Sequence, residues 1–238
     1  MKGRIKFSKT GSMKFVGHLD TMRYFQKAVR RAGLPAAFSK GFSPHMIMSF
    51  ASPLGVGTES EGEYFDIELR EDVPTKEIED SLNRVMAEGV SVVCARRVED
   101  GKAGNAMSLV AAADYNIAFR EGKAPEGDLQ SSLTGFLSQP EIIITKTTKT
   151  GEKNIDIRPY IYEMHAEGER IFCKLAAASA NYTKPETVMQ AFFDFLGQEM
   201  KPYACMVTRL ELYADKGTEE EHSFVPLYSL GEIVWQQM

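Results

Sequence analysis

Apolar residues recur along the chain with two periods, and the switches between them lay out the elements. Arg4–Ser8 alternates polar and apolar and predicts a first strand, followed by a turn at Thr10-Gly11-Ser12 and a continuation through Met13–Val16. Leu19, Met22, Phe25, Val29 and Ala32 then follow helical spacing, which predicts a helix with those five residues facing a core. Gly33 and Pro35 stop it, because glycine suits the position after a helix end and proline cannot continue one. Met46–Ala51 and Glu63–Leu69 read as two strands around a turn bearing Pro53, Gly55 and Gly57. Pro74 opens a second helix with Ile78, Leu82, Val85 and Met86 on one face, Gly89 ends it, and Val90–Arg97 is a β-branched strand. The order is β-α-β-β-α-β, the ferredoxin-like pattern.

Glu99–Asn105 is polar and glycine-bearing and reads as a linker. The order of elements then repeats. Tyr115–Phe119 is a strand, and Leu129, Leu133, Phe136 and Leu137 mark a helix. Glu141–Thr145, Ile155–Tyr162 and Arg170–Ala177 are strands, with a hairpin around Gly151. Pro185 opens a helix with Val188, Phe192, Phe195 and Leu196 on one face, and Cys205–Tyr213 closes the set. Three of these helices carry apolar residues at i, i+4, i+7 and i+8, the spacing of a helix lying on one side of a sheet. The expected fold is therefore α+β, a tandem of ferredoxin-like halves with antiparallel sheets. The expected boundaries are residues 1–100, residues 106–215 and a tail at 216–238. In the tail an acidic run, Glu219–Glu221, precedes an apolar stretch in which Trp235 is expected to be a packed anchor.

Composition narrows the class. A chain of 238 residues with 43% hydrophobic and 26% charged residues is ordinary for a globular protein. No apolar run reaches the roughly 18–20 residues that span a bilayer, and the N-terminus lacks the apolar stretch of a signal peptide, so a cytoplasmic protein without membrane contact is expected. Cys94, Cys173 and Cys205 stand far apart, which argues for buried free thiols rather than a disulfide framework or a metal knuckle. No His/Asp/Glu set has metal-ligand spacing, and Gly41, Gly55 and Gly57 form no nucleotide-binding motif, so no metal and no cofactor are expected.

Charge is uneven. Residues 1–60 hold ten Lys/Arg against Asp20 and Glu59, a net +8, which leaves −13 for the remainder of a chain at −5 overall. Such asymmetry points to a polyanion, most often nucleic acid, or to a solvated basic face balanced by acidic neighbours. Arg23, Lys27, Arg30 and Arg31 form a basic stripe on the first helix. Lys40 follows in the loop Ser39-Lys40-Gly41-Phe42-Ser43-Pro44-His45, and Lys146, Lys149, Lys153 and Arg158 form a second, diluted basic group. Gly41, Gly55 and Gly57 are turn residues that could also bring backbone N–H groups to a phosphate. His18, at the predicted start of the first helix, and His45 are the candidate acid–base residues, against a role in holding turns together by hydrogen bonds.

Gly17-His18-Leu19-Asp20, Arg30-Arg31-Ala32-Gly33-Leu34-Pro35, Gly41-Phe42-Ser43-Pro44-His45, Ser49-Phe50-Ala51, Glu63-Tyr64-Phe65-Asp66 and Asp156-Ile157-Arg158-Pro159-Tyr160 together resemble a bacterial radical-SAM-linked family of unknown function. Its members resemble a C-terminal extension, or an adjacent partner, of radical SAM proteins with a cobalamin-binding domain. The resemblance implies a radical SAM protein as partner. This chain lacks the clustered cysteines that would hold a cluster of its own. Three functions follow as expectations. The first is a module that presents structured RNA or a ribonucleoprotein to a radical SAM partner. The second is a metal-independent endoribonuclease, since tandem ferredoxin-like halves are similar to the CRISPR-repeat RNA processing endonucleases; no glycine-rich run stands between Ala204 and Met238 to match theirs. The third is a protein–protein scaffold.

Overall fold

The computed structural model describes residues 1–101, 104–148, 151–218 and 220–235. The centre of the expected linker (Lys102, Ala103), Lys149 of the second basic group and Glu219 of the acidic run lie outside the described residues. The protein is α+β with mostly antiparallel pairing, and it divides into two compact units, residues 1–111 with 211–238 and residues 112–210.

The first unit contains β1 (Lys2–Lys9), α1 (His18–Arg31), β2 (Met48–Phe50), β3 (Glu59–Glu68), α2 (Thr75–Asn83) and β4 (Val90–Val98). β1 pairs antiparallel with β3 on one side (Arg4 opposite Asp66) and with β4 on the other (Lys6 opposite Cys94), and β2 pairs with β3. Side chains alternate across a strand, so Ile5 and Phe7 on β1 join Phe65 and Ile67 on β3 in a core with Phe25, Val29, Ile78 and Leu82 from the helices. Phe7, Phe25, Phe50 and Phe65 form its aromatic centre, with the Phe7–Phe25 centroids 4.5 Å and the Phe25–Phe65 centroids 4.7 Å apart.

Several local expectations change. Met13–Val16 does not extend β1; Gly11–Phe15 is a 3-10 turn. α1 buries Thr21, Phe25, Ala28 and Val29, while Leu19 is 65% exposed. At about 100° per residue Leu19 lies roughly 120° around the helix from Phe25, outside the arc that Thr21 and Val29 bracket. α2 stops at Asn83, well before Gly89, because the Asn83 side chain turns to β4: its Nδ2 donates to the Val92 carbonyl at 2.9 Å and its Oδ1 accepts from the Val92 N–H at 2.8 Å. Met46 makes only an isolated bridge to Phe38, so the strand after it is short.

The second unit contains most of β5 (Val110–Phe119, after the short α3, Ala106–Leu109), α4 (Leu129–Leu137), the hairpin β6 (Ile143–Thr148) and β7 (Gly151–Asp156), β8 (Ile161–Glu167), β9 (Arg170–Ala176), α5 (Pro185–Phe195) and the first part of β10 (Cys205–Asp215). Its strands run in the order β10-β5-β9-β8, and β6 pairs with β7 alone. The expected single strand Ile155–Tyr162 is two strands broken by a 3-10 turn at Arg158–Tyr160, where Pro159 has no N–H to donate to a ladder. Phe193 is buried on α5 where Phe195, at 42% exposure, was expected.

Residues 211–235 belong to the first unit instead of forming a separate tail. β11 (Phe224–Pro226) pairs with the end of β10, Leu227 is fully buried, Glu232 bridges Arg97, and the Val234 carbonyl accepts from the Thr75 N–H at 3.0 Å. Leu227 is thus the anchor of this segment, and Trp235 is 77% exposed. A fragment ending at residue 111 is therefore expected to give no cooperative melting transition by circular dichroism, and joining residues 211–238 to it should restore one. A cooperative transition in the fragment alone would show that this segment is dispensable.

Candidate nucleic-acid interface

The helix period that buries Phe25 and Val29 necessarily turns other positions outward. Arg23, Lys27, Arg30 and Arg31 are all exposed on α1. Arg23 holds Asp20 at 3.0 Å, an exposed pair of small energetic weight. Among the described residues Lys27 has no partner. Arg30 lies over the Phe38 ring, 5.9 Å from its centroid, and Arg31 donates to the Val85 carbonyl at 3.1 Å. The four cations therefore face outward with a single acidic side chain bound among them.

Lys40, Gly41, Phe42, Ser43, Pro44 and His45 form an exposed loop in the same unit. Gly41 has φ of +115°, which glycine adopts without strain, and Phe42 is fully exposed at the tip. His45 closes the loop. Its Nδ1 lies 2.8 Å from Ser39 Oγ, its N–H donates to that oxygen at 3.1 Å, and its carbonyl accepts from the Ser39 N–H at 2.8 Å. His18 packs edge-on against Phe50 with centroids 5.5 Å apart. Among the described residues no hydrogen bond or ring contact joins His18 to His45. Each histidine instead has a local packing role. Replacing either by alanine is expected to lower stability by about 1 kcal/mol, the scale of one aromatic pair or one hydrogen bond, with RNA affinity unchanged. Metal-free RNA cleavage that His18→Ala abolishes at unchanged melting temperature would reverse that assignment.

Gly57 has φ of +91°, and its N–H donates to the Lys14 carbonyl at 2.8 Å; the Gly55 carbonyl accepts from Thr58 at 3.2 Å. That turn is thus closed by its own backbone. Arg158 sits in the second unit, where Nε donates to the Leu137 carbonyl at 2.9 Å and Nη1 to the Ile161 carbonyl at 3.3 Å. Asp156 accepts from the Ile142 N–H at 2.8 Å and the Arg158 N–H at 2.9 Å, so the Asp156–Tyr160 block ties off the base of the β6–β7 hairpin. Lys146 and Lys153 are exposed opposite each other on that hairpin.

Sequence reasoning missed a polar seam in the first unit. On β1, Lys2, Arg4 and Lys6 occupy alternate positions and point away from the aromatic core. Arg4 is 1% exposed; its Nε and Nη2 donate to the two carboxylate oxygens of Asp66 at 2.8 and 3.0 Å, its Nη1 to the Leu227 carbonyl at 3.2 Å, and Nη2 again to the Gly104 carbonyl at 2.7 Å. Asp66 also accepts the Ala106 N–H at 2.8 Å. Lys6 meets Glu211 at 2.7 Å and lies 5.2 Å from the centre of the Tyr228 ring. Tyr64 donates to the other Glu211 oxygen at 2.5 Å. Burial first, and then the Glu211 charge, push the Tyr64 hydroxyl far above its ordinary value, so it stays a donor. The signal for the seam was present as period-two spacing: Lys2, Arg4 and Lys6 on one strand, Tyr64 and Asp66 on its neighbour.

The three cysteines are free. Only Cys173 is buried as expected, while Cys94 and Cys205 are partly buried; burial raises the thiols of Cys94 and Cys173 and pushes Cys205 up to about 11, so all three stay protonated. Among the described residues no group of three or more His, Cys, Asp or Glu is placed to hold a metal ion, and no helix is long and apolar enough to cross a membrane.

In comparisons with known proteins, the family described as "Uncharacterized protein conserved in bacteria" (DUF2344) matches residues 2–185. No curated protein matches. Among solved structures, a chain of the "Crystal Structure of a Cbf5-Nop10-Gar1 Complex" matches with a TM-score of 0.46 and 11% identity, over 88% of this chain and 48% of that one. The chain thus spans about half the length of the chain it matches.

Proposed function

The chain belongs to the bacterial family DUF2344, and from that premise we propose that it is a non-catalytic module that binds structured RNA, or a ribonucleoprotein, and presents it to a radical SAM partner. The observation that carries the RNA reading is the outward face of α1: Arg23, Lys27, Arg30 and Arg31 are exposed together, and Lys40 is exposed on a loop of the same unit. Lys and Arg clustered on one helix face make the electrostatic footprint of a phosphate backbone. The radical SAM partner rests on the sequence blocks resembling the radical-SAM-linked family, from Gly17-His18-Leu19-Asp20 to Asp156–Tyr160. A module role is favoured over a nuclease because His18 and His45 each have a local partner and neither is joined to the other.

We also read both units as ferredoxin-like. The β4-β1-β3 order with β2 on β3, two helices on one face of that sheet, and the β10-β5-β9-β8 order of the second unit, with β6–β7 as an inserted hairpin, support this. The functional experiment is ultraviolet crosslinking in extract, sequencing of the bound RNA, and recovery of protein partners from the same sample. The proposal expects a defined set of structured RNAs together with a radical SAM protein carrying a cobalamin-binding domain. RNA no more abundant than with the charge-reversed α1 protein sinks the RNA half, and the absence of any radical SAM protein sinks the partner half.

A further inference from the structure

Beside the basic face of α1 the first unit has an open pocket of about 420 Å³, lined by Arg30, Leu34, Ala36, Phe38, Met46 and Arg70. Pockets of this size are in the range of small-molecule sites. Its walls are fixed by the backbone. Gly33, at φ of +73°, turns the chain out of α1, and the Leu34 N–H returns to the Val29 carbonyl at 3.3 Å. Ala36 bridges Leu69, Phe38 bridges Met46, and the Arg70 N–H donates to the Pro35 carbonyl at 2.9 Å. The lining therefore combines two arginines with four apolar residues. Among the described residues neither Arg30 nor Arg70 has an ion-pair partner, and no acidic side chain lines the pocket.

From this geometry we propose that the pocket binds a nucleoside phosphate, with the phosphate between Arg30 and Arg70 and the base flat against Phe38. Arginine holds phosphate by paired, charge-assisted N–H donors, and its planar group also stacks on aromatic rings. Arg30 already lies over Phe38, its guanidinium carbon 5.9 Å from the ring centroid. Phe38 is 43% exposed, so it offers a ring surface to a second flat group. Bases stack on such rings regardless of sequence. An alkyl chain would gain less, because the pocket is open and does not enclose a chain along its length. No side-chain amide or hydroxyl lines it, so base edges are not read and purines and pyrimidines should bind within a few-fold of each other. The nucleotide has two possible sources, a free nucleotide or an unpaired residue of RNA. The second deepens the RNA reading and rests on it; the first does not.

The test titrates the full chain with AMP, CMP, adenosine, octyl phosphate, a single-stranded trinucleotide and a fully paired RNA duplex, followed by NMR or calorimetry. AMP and CMP are expected to bind, and adenosine, lacking the phosphate, about tenfold or more weakly. Arg70→Ala and Phe38→Ala should each weaken AMP at least about fivefold. Arg70 is outside the α1 stripe, so Arg70→Ala should leave duplex binding unchanged. Trinucleotide binding much tighter than AMP, and lost in Arg70→Ala, assigns the site to unpaired RNA; AMP binding without RNA binding keeps the site and discards the RNA reading. No binding of AMP or of trinucleotide at millimolar concentration, adenosine equal to AMP, octyl phosphate tighter than AMP, or affinity untouched by Arg70→Ala in a protein of unchanged melting temperature would each overturn the proposal.

Discussion

Replacing Arg23, Lys27, Arg30 and Arg31 together by glutamate is expected to reduce RNA affinity by two orders of magnitude or more, with the melting temperature nearly unchanged. All four are exposed, and the contacts they make within the protein are peripheral: one exposed ion pair with Asp20, one carbonyl of Val85 and one ring face of Phe38. Their loss therefore costs the fold little, whereas each reversed charge replaces a released counterion with a repulsion. Four phosphate contacts imply a slope of about −3 in log affinity against log salt, so the wild-type protein should lose about sixtyfold in affinity between roughly 50 and 200 mM salt. Filter binding across salt concentrations measures both numbers. Reversing Lys146 and Lys153, exposed on the β6–β7 hairpin of the second unit, is the control and should change affinity less than about threefold. An affinity independent of salt, or equal loss from the two sets, would remove α1 as the RNA-binding face.

Asp66→Asn is expected to destabilise the first unit by about 3–5 kcal/mol, which is of the order of a whole domain's stability. The carboxylate is 1% exposed, receives both arms of Arg4, caps the Ala106 N–H and has Lys2 at 3.7 Å. The substitution leaves the Arg4 guanidinium buried without its counter-charge, and the cost is mostly that uncompensated charge. Because Arg4 also donates to the Leu227 carbonyl, residues 224–235 should become protease-sensitive at denaturant concentrations where the wild-type protein still resists. The paired change Arg4→Met with Asp66→Leu should be milder than either single change, since it removes both charges at once. Urea melts of the wild type, Asp66→Asn, Arg4→Met, Asp66→Leu and the double variant decide the matter. A cost below about 1 kcal/mol for Asp66→Asn would mean that water reaches the pair and the seam is not closed.

Helical spacing was enough to determine α1, its basic face and its end at Gly33, because a 3.6-residue period leaves few ways to bury Phe25 and Val29 without exposing Arg23 and Lys27. The period-two segments likewise marked most strands, and glycine with proline marked most turns. Composition determined the uneven charge and the free cysteines. Other features were decided only in three dimensions. Leu19 is exposed because the buried arc of α1 is centred on Phe25, and α2 ends early because the Asn83 side chain finds the backbone of β4 across the fold. Residues 211–235 return to the first unit because Lys6, Tyr64 and Arg4 present polar groups there that Glu211 and the Leu227 carbonyl satisfy from more than 140 positions away in the chain. Burying such groups without partners is costly, so the partners had to come from somewhere, but nothing in a linear pattern says from where. The pairing of Arg30 with Arg70 around Phe38 has the same origin. A helix end and a strand end 40 residues apart meet at one pocket because β3 returns beside the turn that leaves α1.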